Sequence, residues 1–221
     1  MQDTWDIVRA WPLAQSANSV FLVAAVVELA TLCVLSEADF LAERDALGEM
    51  VLPAAMMVAG ILVLLATSGW WTLELPVEAP TPSRFVIEWL CGFLVADASH
   101  FVAHLALHRV PLLRRFHAKH HEPNAVMHGW VATKVHLVEG VLINTALFWA
   151  LFLFTHPLVM WSFAAVSATH SAVIHSGYDL GLPPPFLGAK HHEKHHERDS
   201  TKNMGNFLSA WDRLAGTYRP V

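Results

Sequence analysis

Between His104 and His121 the chain reads HLALHRVPLLRRFHAKHH, and any fold of this protein has to accommodate that stretch first. His104 and His108 stand four apart, and His117, His120 and His121 repeat spacings of three and four. On helices such offsets put side chains on one face, so two short segments present five neutral nitrogen donors to a common point. A third box, KHHEKHHERD, brings His192, His195 and His196. Eight histidines exceed the four protein ligands of a single tetrahedral zinc, and the economical reading is two metal ions. Imidazole is mostly neutral at pH 7, and one ring nitrogen can bind metal while the other is oriented by an acceptor. It suits zinc, iron, copper and nickel, so ligand type alone does not name the ion. The plain alternative is a His-rich surface tract, but three boxes with matching helical offsets make chance a poor explanation.

The surroundings of the boxes fix the solvent. The hydrophobic fraction is 54% and the mean hydropathy +0.40, with only 15% charged residues where a soluble domain has about a quarter. The apolar residues are bunched into long runs, which makes this an integral membrane chain. Cys33 and Cys91 lie inside apolar runs, so neither a disulfide framework nor a redox pair is indicated. A net charge of -5 and the lack of a basic stripe with interleaved aromatics argue against a nucleic-acid partner. The acidic and aromatic start of the chain has no signal-peptide pattern, and the first apolar run is expected to stay as an anchor.

Residues 17–35 are long enough to cross about 30 Å of hydrocarbon as a helix. They contain Glu28, a carboxyl that is expensive in mid-span and is read as making a structural hydrogen bond or helix contact. An acidic linker is expected over 36–49 and a second span over 50–71, with Trp70 and Trp71 at the interface. LELPVEAPTPS carries Pro76, Pro80 and Pro82 and forms a connector. A third long helix should start at Arg84 or Phe85 and carry Asp97, His100, His104 and His108 on one face. Asp97 then either orients His100 or His104 or pairs with a basic group. The last apolar block, 137–173, is interrupted by Thr155-His156-Pro157 and reads as a tight membrane hairpin with His156 as a turn residue.

The expected fold is therefore all-α: an integral membrane helical protein with a histidine-rich helical cap over membrane hairpins. Its parts are an N-terminal unit of spans and connector over 1–84 and a histidine-box unit over 85–221. All Lys and Arg except Arg9, Arg44 and Arg84 lie from Arg109 onward. The positive-inside rule accordingly puts the boxes in the cytoplasm. Three full spans before the first box would leave the N-terminus outside; a re-entrant early run would leave it inside.

The motifs resemble those of the fatty acid hydroxylase or sterol desaturase superfamily of membrane di-iron oxygenases, from about Asp97 to the C-terminus. The likeness rests on the first two boxes, His136-x-x-Glu139, HSGYD from His175 to Asp179, HHEKHH, and the closing NMGNFLSAWDRLAGTY. HSGYD followed by HHEKHH is most similar to the sterol C4-methyl oxidase branch. Leu105, His128, Leu137 and Ala215 depart from the family pattern without removing a ligand. The resemblance implies two iron ions, with zinc able to substitute, held by the eight box histidines and by His136 and His175. It makes the tail from Asn203 to Thr217 a packing element. His100, His170 and His191 are read as outer partners or structural residues.

The implied activity is O2-dependent hydroxylation or desaturation of a sterol-like or fatty-acyl lipid. With no dinucleotide fingerprint, electrons are expected from an external donor, a ferredoxin or cytochrome b5-like protein with its reductase, docking near Arg114, Arg115 and Lys119. Two other classes compete: a metal transporter or metal-binding membrane protein, which needs ligands near the bilayer midplane, and a zinc hydrolase, which needs an open coordination position.

Overall fold

The structure, a computed structural model, describes residues 1–41, 47–70, 72, 74–122, 127–197 and 201–221. Its regular elements are helices: α1 Gln2–Arg9, α2 Ser19–Leu41, α3 Leu47–Ala66, α4 Pro82–Arg109, α5 Pro111–His117, α6 Leu137–Phe154, α7 Pro157–His175, α8 Ala189–His196 and α9 Ser209–Ala215, with a 3-10 turn at Gly129–Thr133. There is no strand among the described residues. The spans within α2, α4 and α7 are long and apolar enough to cross a membrane, and shorter apolar helices lie in α3 and α6. The protein is thus an all-helical integral membrane protein, as its composition required.

Local chemistry sets where the long helices begin and end. Thr81 caps α4 by accepting the Arg84 N–H at 3.2 Å, with Pro82 in the first turn. α7 starts the same way, His156 accepting the Leu158 N–H at 3.2 Å ahead of Pro157. The apolar block therefore does turn at Thr155-His156-Pro157, and His156 is its buried cap. Pro111 forces Val110 out of helical geometry (φ -88°, ψ 116°), so α4 stops at Arg109 and α5 sets off in a new direction. That break folds the second histidine segment back over the first.

The direction of each span follows from contacts at its ends. The Trp161 indole donates to Ser19 Oγ at 3.0 Å, and the Tyr178 hydroxyl donates to Asp39 at 3.0 Å, so α2 runs beside α7 in the same sense. Glu88 near the start of α4 accepts the His156 N–H at 2.7 Å, which aligns α4 with α7 as well. All the histidine boxes lie at the C-terminal ends of these helices. α1 lies at the opposite end, where the buried Trp5 packs on His156 and Trp161 and donates to the Pro76 carbonyl at 2.9 Å. The N-terminus and the boxes are on opposite ends of the bundle. A core of Phe93, Phe148, Leu151, Val159 and Phe163 joins α4, α6 and α7, while Leu52, Met56, Leu62, Ile87 and Leu90 project outward as side chains facing lipid do.

Boundaries differ from the expectation at two elements. The second span, expected over 50–71, is helical over Leu47–Ala66. The acidic linker was expected from Ser36, yet α2 stays helical to Leu41. Tertiary contacts extend it: Ser36 accepts the Trp130 indole N–H at 2.8 Å, and Asp39 is tied to Tyr178. The centre of that linker and Trp71 lie outside the described residues.

Candidate metal centre

α4 brings His104 and His108 to the end of the bundle, α5 and the turn after it bring His117, His120 and His121, α7 ends on His175, and α8 supplies His192, His195 and His196. Their nitrogens gather into two groups. His104, His108, His117, His121 and His195 form one, and His120, His175, His192 and His196 the other; within each, the nitrogens lie within 4.8 Å of one another. The groups adjoin, with the His121 and His196 rings stacked at 4.4 Å and those of His117 and His120 at 5.4 Å.

The second nitrogen of several rings is already committed. His104 Nδ1–H donates to the Met204 carbonyl at 2.8 Å, His195 to the Lys202 carbonyl at 2.8 Å, and His175 to the Ser171 carbonyl at 2.7 Å. His117 Nδ1–H donates to Glu139 Oε1 at 2.8 Å. A neutral imidazole carries one N–H, so in these rings Nε2 is a bare lone pair. Yet Nε2 of His104 and of His117 lie 3.2 Å apart, lone pair against lone pair, an arrangement that a cation between them relieves. Other Nε2 pairs are 2.9 to 3.1 Å apart in the first group and 2.7 to 3.2 Å in the second. Those separations match the edges of a coordination polyhedron with bonds of about 2.0–2.1 Å. The donor set fits metal, and its all-imidazole character suits zinc, iron, copper or nickel.

Burial keeps these rings neutral. It is the leading cause, ahead of the neighbouring imidazoles, that holds His117, His120, His121, His192, His195 and His196 well below the ordinary histidine pKa. In the unfolded chain the same rings take up protons near pH 6.5. As pH falls below about 6.5 the unfolded state binds more protons than the folded one, so stability, full above that value, is progressively lost toward the depressed pKa values. The metal-free protein in detergent is expected to lose its helical circular dichroism in acid, and bound metal to move that loss to lower pH. Equal stability of the metal-free protein at pH 7.5 and pH 5 would contradict this.

Nine of the ten histidines expected as ligands are brought together. His136 is not. Its Nδ1 accepts the Val138 N–H at 3.1 Å as the cap of α6, and its ring lies on Phe116 at 4.6 Å. Asp97 neither orients a histidine nor pairs with a base: it accepts the N–H groups of Phe207 (2.9 Å) and Leu208 (3.2 Å) and the Trp211 indole (2.8 Å). It ties the tail to α4, because the tail passes over that face of the helix. His170 donates to the Asn206 carbonyl at 2.9 Å, His191 is 3.4 Å from the Tyr218 hydroxyl, and His100 packs on the His104 ring at 5.6 Å.

The residues that hold the ligands in place were largely invisible in the sequence. Glu139 could be suspected from its spacing to His136, but its partner is His117. The carbonyls of Met204, Lys202 and Ser171 have no side-chain signature. Beneath the groups lies a cavity of about 310 Å³ that shares His104, His117, His120, His175 and His192 with them and continues between apolar side chains such as Leu147, Phe148 and Ala164.

Comparison with known proteins adds a family. The chain is 32% identical to methylsterol monooxygenase 1 of Rattus norvegicus over 133 residues, covering 56% of this chain and 44% of the relative. It is 32% identical to cholesterol 25-hydroxylase of Rattus norvegicus over 158 residues, 66% of this chain and 51% of the relative. It thus spans about half the length of these relatives. No solved structure gives a significant match. Residues 89–217, more than half of the chain, match the family described as fatty acid hydroxylase, and they include every histidine of the two groups. The chain therefore belongs to the fatty acid hydroxylase family.

Proposed function

We propose that the protein is an O2-dependent lipid hydroxylase or desaturase, with one iron ion in each histidine group and a sterol-like or fatty-acyl substrate. The observation that carries this reading is the pair of adjoining all-imidazole groups at the end of an apolar cavity inside a membrane bundle. Two irons supply the activation of dioxygen and the attack on an unactivated C–H bond, chemistry that no side chain provides. The chain's own part is to hold nine neutral imidazoles, fix the tautomers of His104, His117, His175 and His195 through Glu139 and the carbonyls of Met204, Ser171 and Lys202, and offer an apolar cavity. A lipid reaches that cavity from the bilayer with little desolvation. The relatives named for methylsterol and cholesterol oxidation support a sterol-like substrate.

Arg109, Arg114, Arg115 and Lys119 lie at the histidine end and are exposed, which favours a cytoplasmic orientation for that end. An acidic ferredoxin or cytochrome b5-like protein would dock on the same face, beside His117 and His121. A transporter would hold its ligands near mid-bilayer, whereas these histidines gather at one end of the bundle.

The test is metal analysis of protein purified without added metal, followed by oxygen uptake with lipid extract and a reducing system. The expected result is iron at about two per chain and a lipid product that has gained one oxygen or lost two hydrogens. Iron-free protein with oxygen-independent lipid cleavage, or metal transport without turnover, would overturn the proposal.

A further inference from the structure

Glu28 has no partner where a partner is most needed. Its carboxyl lies in the middle of α2, inside a membrane span, and makes no hydrogen bond or ion pair with any described residue. An isolated carboxyl at such depth is costly and marks an interior function. The side chain does not face lipid: with Ala24 one turn earlier it lines the cavity that ends at His104, His117, His120 and His175. The sequence leads one to expect a structural hydrogen bond or helix contact there, and among the described residues no hydrogen bond is made.

Of the other polar groups on the cavity wall, the Thr133 hydroxyl donates to the Trp130 carbonyl at 2.7 Å, whereas Glu139 Oε2 and the Ser167 and Ser171 hydroxyls make no hydrogen bond among the described residues. The Asn144 amide donates to the Gly140 carbonyl at 2.8 Å. His100 Nδ1 is unpartnered, but its ring lies against that of His104 at the metal end. The wall that Glu28 shares is apolar at Ala24, Leu147, Phe148, Ala164 and Ala168, with the small hydroxyls of Ser167 and Ser171 beside them on α7. A ligand complementary to this wall is largely apolar, with a polar group where it meets Glu28.

Its depth can be read from the helix register. α2 and α7 run side by side, tied by Ser19 to Trp161 and by Asp39 to Tyr178, which brings Glu28 level with residues 167–170 of α7. That is about five to eight residues, or roughly 8–12 Å at 1.5 Å per residue, below His175. One hydrogen bond takes up about 2.7 Å of this distance. What is left covers only a short stretch of ligand between its polar group and the nitrogen groups.

We propose that Glu28 is a specificity-determining residue that holds the hydroxyl of a lipid alcohol, so that the C–H bond presented to the histidine groups lies in the same end of the molecule as that hydroxyl. This rests on the oxygenase reading for the reaction but not for the binding. An alcohol fits better than an acid, which would set carboxyl against carboxyl.

The experiment uses the full chain, loaded with redox-inactive zinc, in phosphatidylcholine nanodiscs. A photoreactive sterol labels the cavity and is competed by cholesterol or cholestane, and in a second series by hexadecanol or hexadecane. In the wild type at least one alcohol is expected to compete about tenfold better than its hydrocarbon partner, the worth of one buried hydrogen bond. E28L should erase that advantage and E28Q, whose amide still accepts, should keep part of it. Should E28L fail to insert, E28A carries the same reading. Equal competition by alcohol and hydrocarbon in the wild type, or an undiminished advantage in E28L or E28A, overturns the proposal. The readout needs neither iron nor oxygen, so hydroxyl discrimination without oxygen uptake would overturn the oxygenase reading alone. Lipid oxidation without hydroxyl discrimination would overturn Glu28 alone.

Discussion

Replacing His195 by alanine is expected to lower turnover by more than about 100-fold and to remove metal from the first histidine group, while the protein still inserts in the membrane. His195 is fully buried, its Nε2 lies 3.1 Å from that of His108, and its Nδ1–H is held by the Lys202 carbonyl. It belongs to α8, a short helix outside the spans, so its loss leaves the apolar helices that determine insertion untouched. His120→Ala should behave alike from the second group. Metal content per chain, oxygen uptake and membrane fractionation measured on the same preparations check both variants. Wild-type turnover in either would contradict the assignment of these groups as the metal site.

Asp212→Asn is expected to weaken metal binding by about 10- to 100-fold without touching a ligand. Asp212 is fully buried, and its Oδ1 accepts the Met204 N–H at 2.8 Å and the Thr217 hydroxyl at 2.6 Å. Oδ2 accepts the Gly205 N–H at 2.7 Å. All partners donate, so an amide NH2 in either position sets donor against donor and leaves a buried group unsatisfied, at a cost of about 1–3 kcal/mol. Met204 would shift, and its carbonyl is what fixes the His104 ring. The packing has little slack, since a Cβ added at Gly205 would stand 2.8 Å from Asp212 Oδ2 and 2.9 Å from the Leu208 carbonyl. Thr217→Ala, which removes one hydroxyl, should have a smaller effect. Titration of bound metal with a chelator ranks the variants; equal retention by D212N and the wild type would show that the tail does not support the site.

The tail illustrates why some of the site could be read early and some could not. NMGNFLSAWDRLAGTY was recognisable as a motif and expected to pack, but nothing in it announces that main-chain oxygens of Lys202 and Met204 orient two histidines. Side-chain type is visible in a sequence; the direction of a carbonyl is not. Asp97 misled for a related reason. On a helical wheel it shares a face with His100 and His104, and only the crossing of the tail over that face reveals three N–H donors from residues 207, 208 and 211 waiting for it. His136 shows a different limit. Its motif position implied a ligand, but the start of α6 offers it an unpaired N–H to cap.

Sequence alone determined that this chain lives in a membrane and that its imidazoles cluster on helices or the turns that extend them, because hydropathy and the three-and-four spacing act over a turn or a span and need no distant partner. Tertiary structure alone decided how nine rings divide into a five and a four and which nitrogen of each is free. It also decided that an unpaired carboxyl on α2 faces the same cavity. Those outcomes depend on contacts such as His104 with Met204 and His108 with His195, between residues far apart along the chain, and their geometry is set by how α4 breaks at Pro111 and where α8 and the tail come to rest.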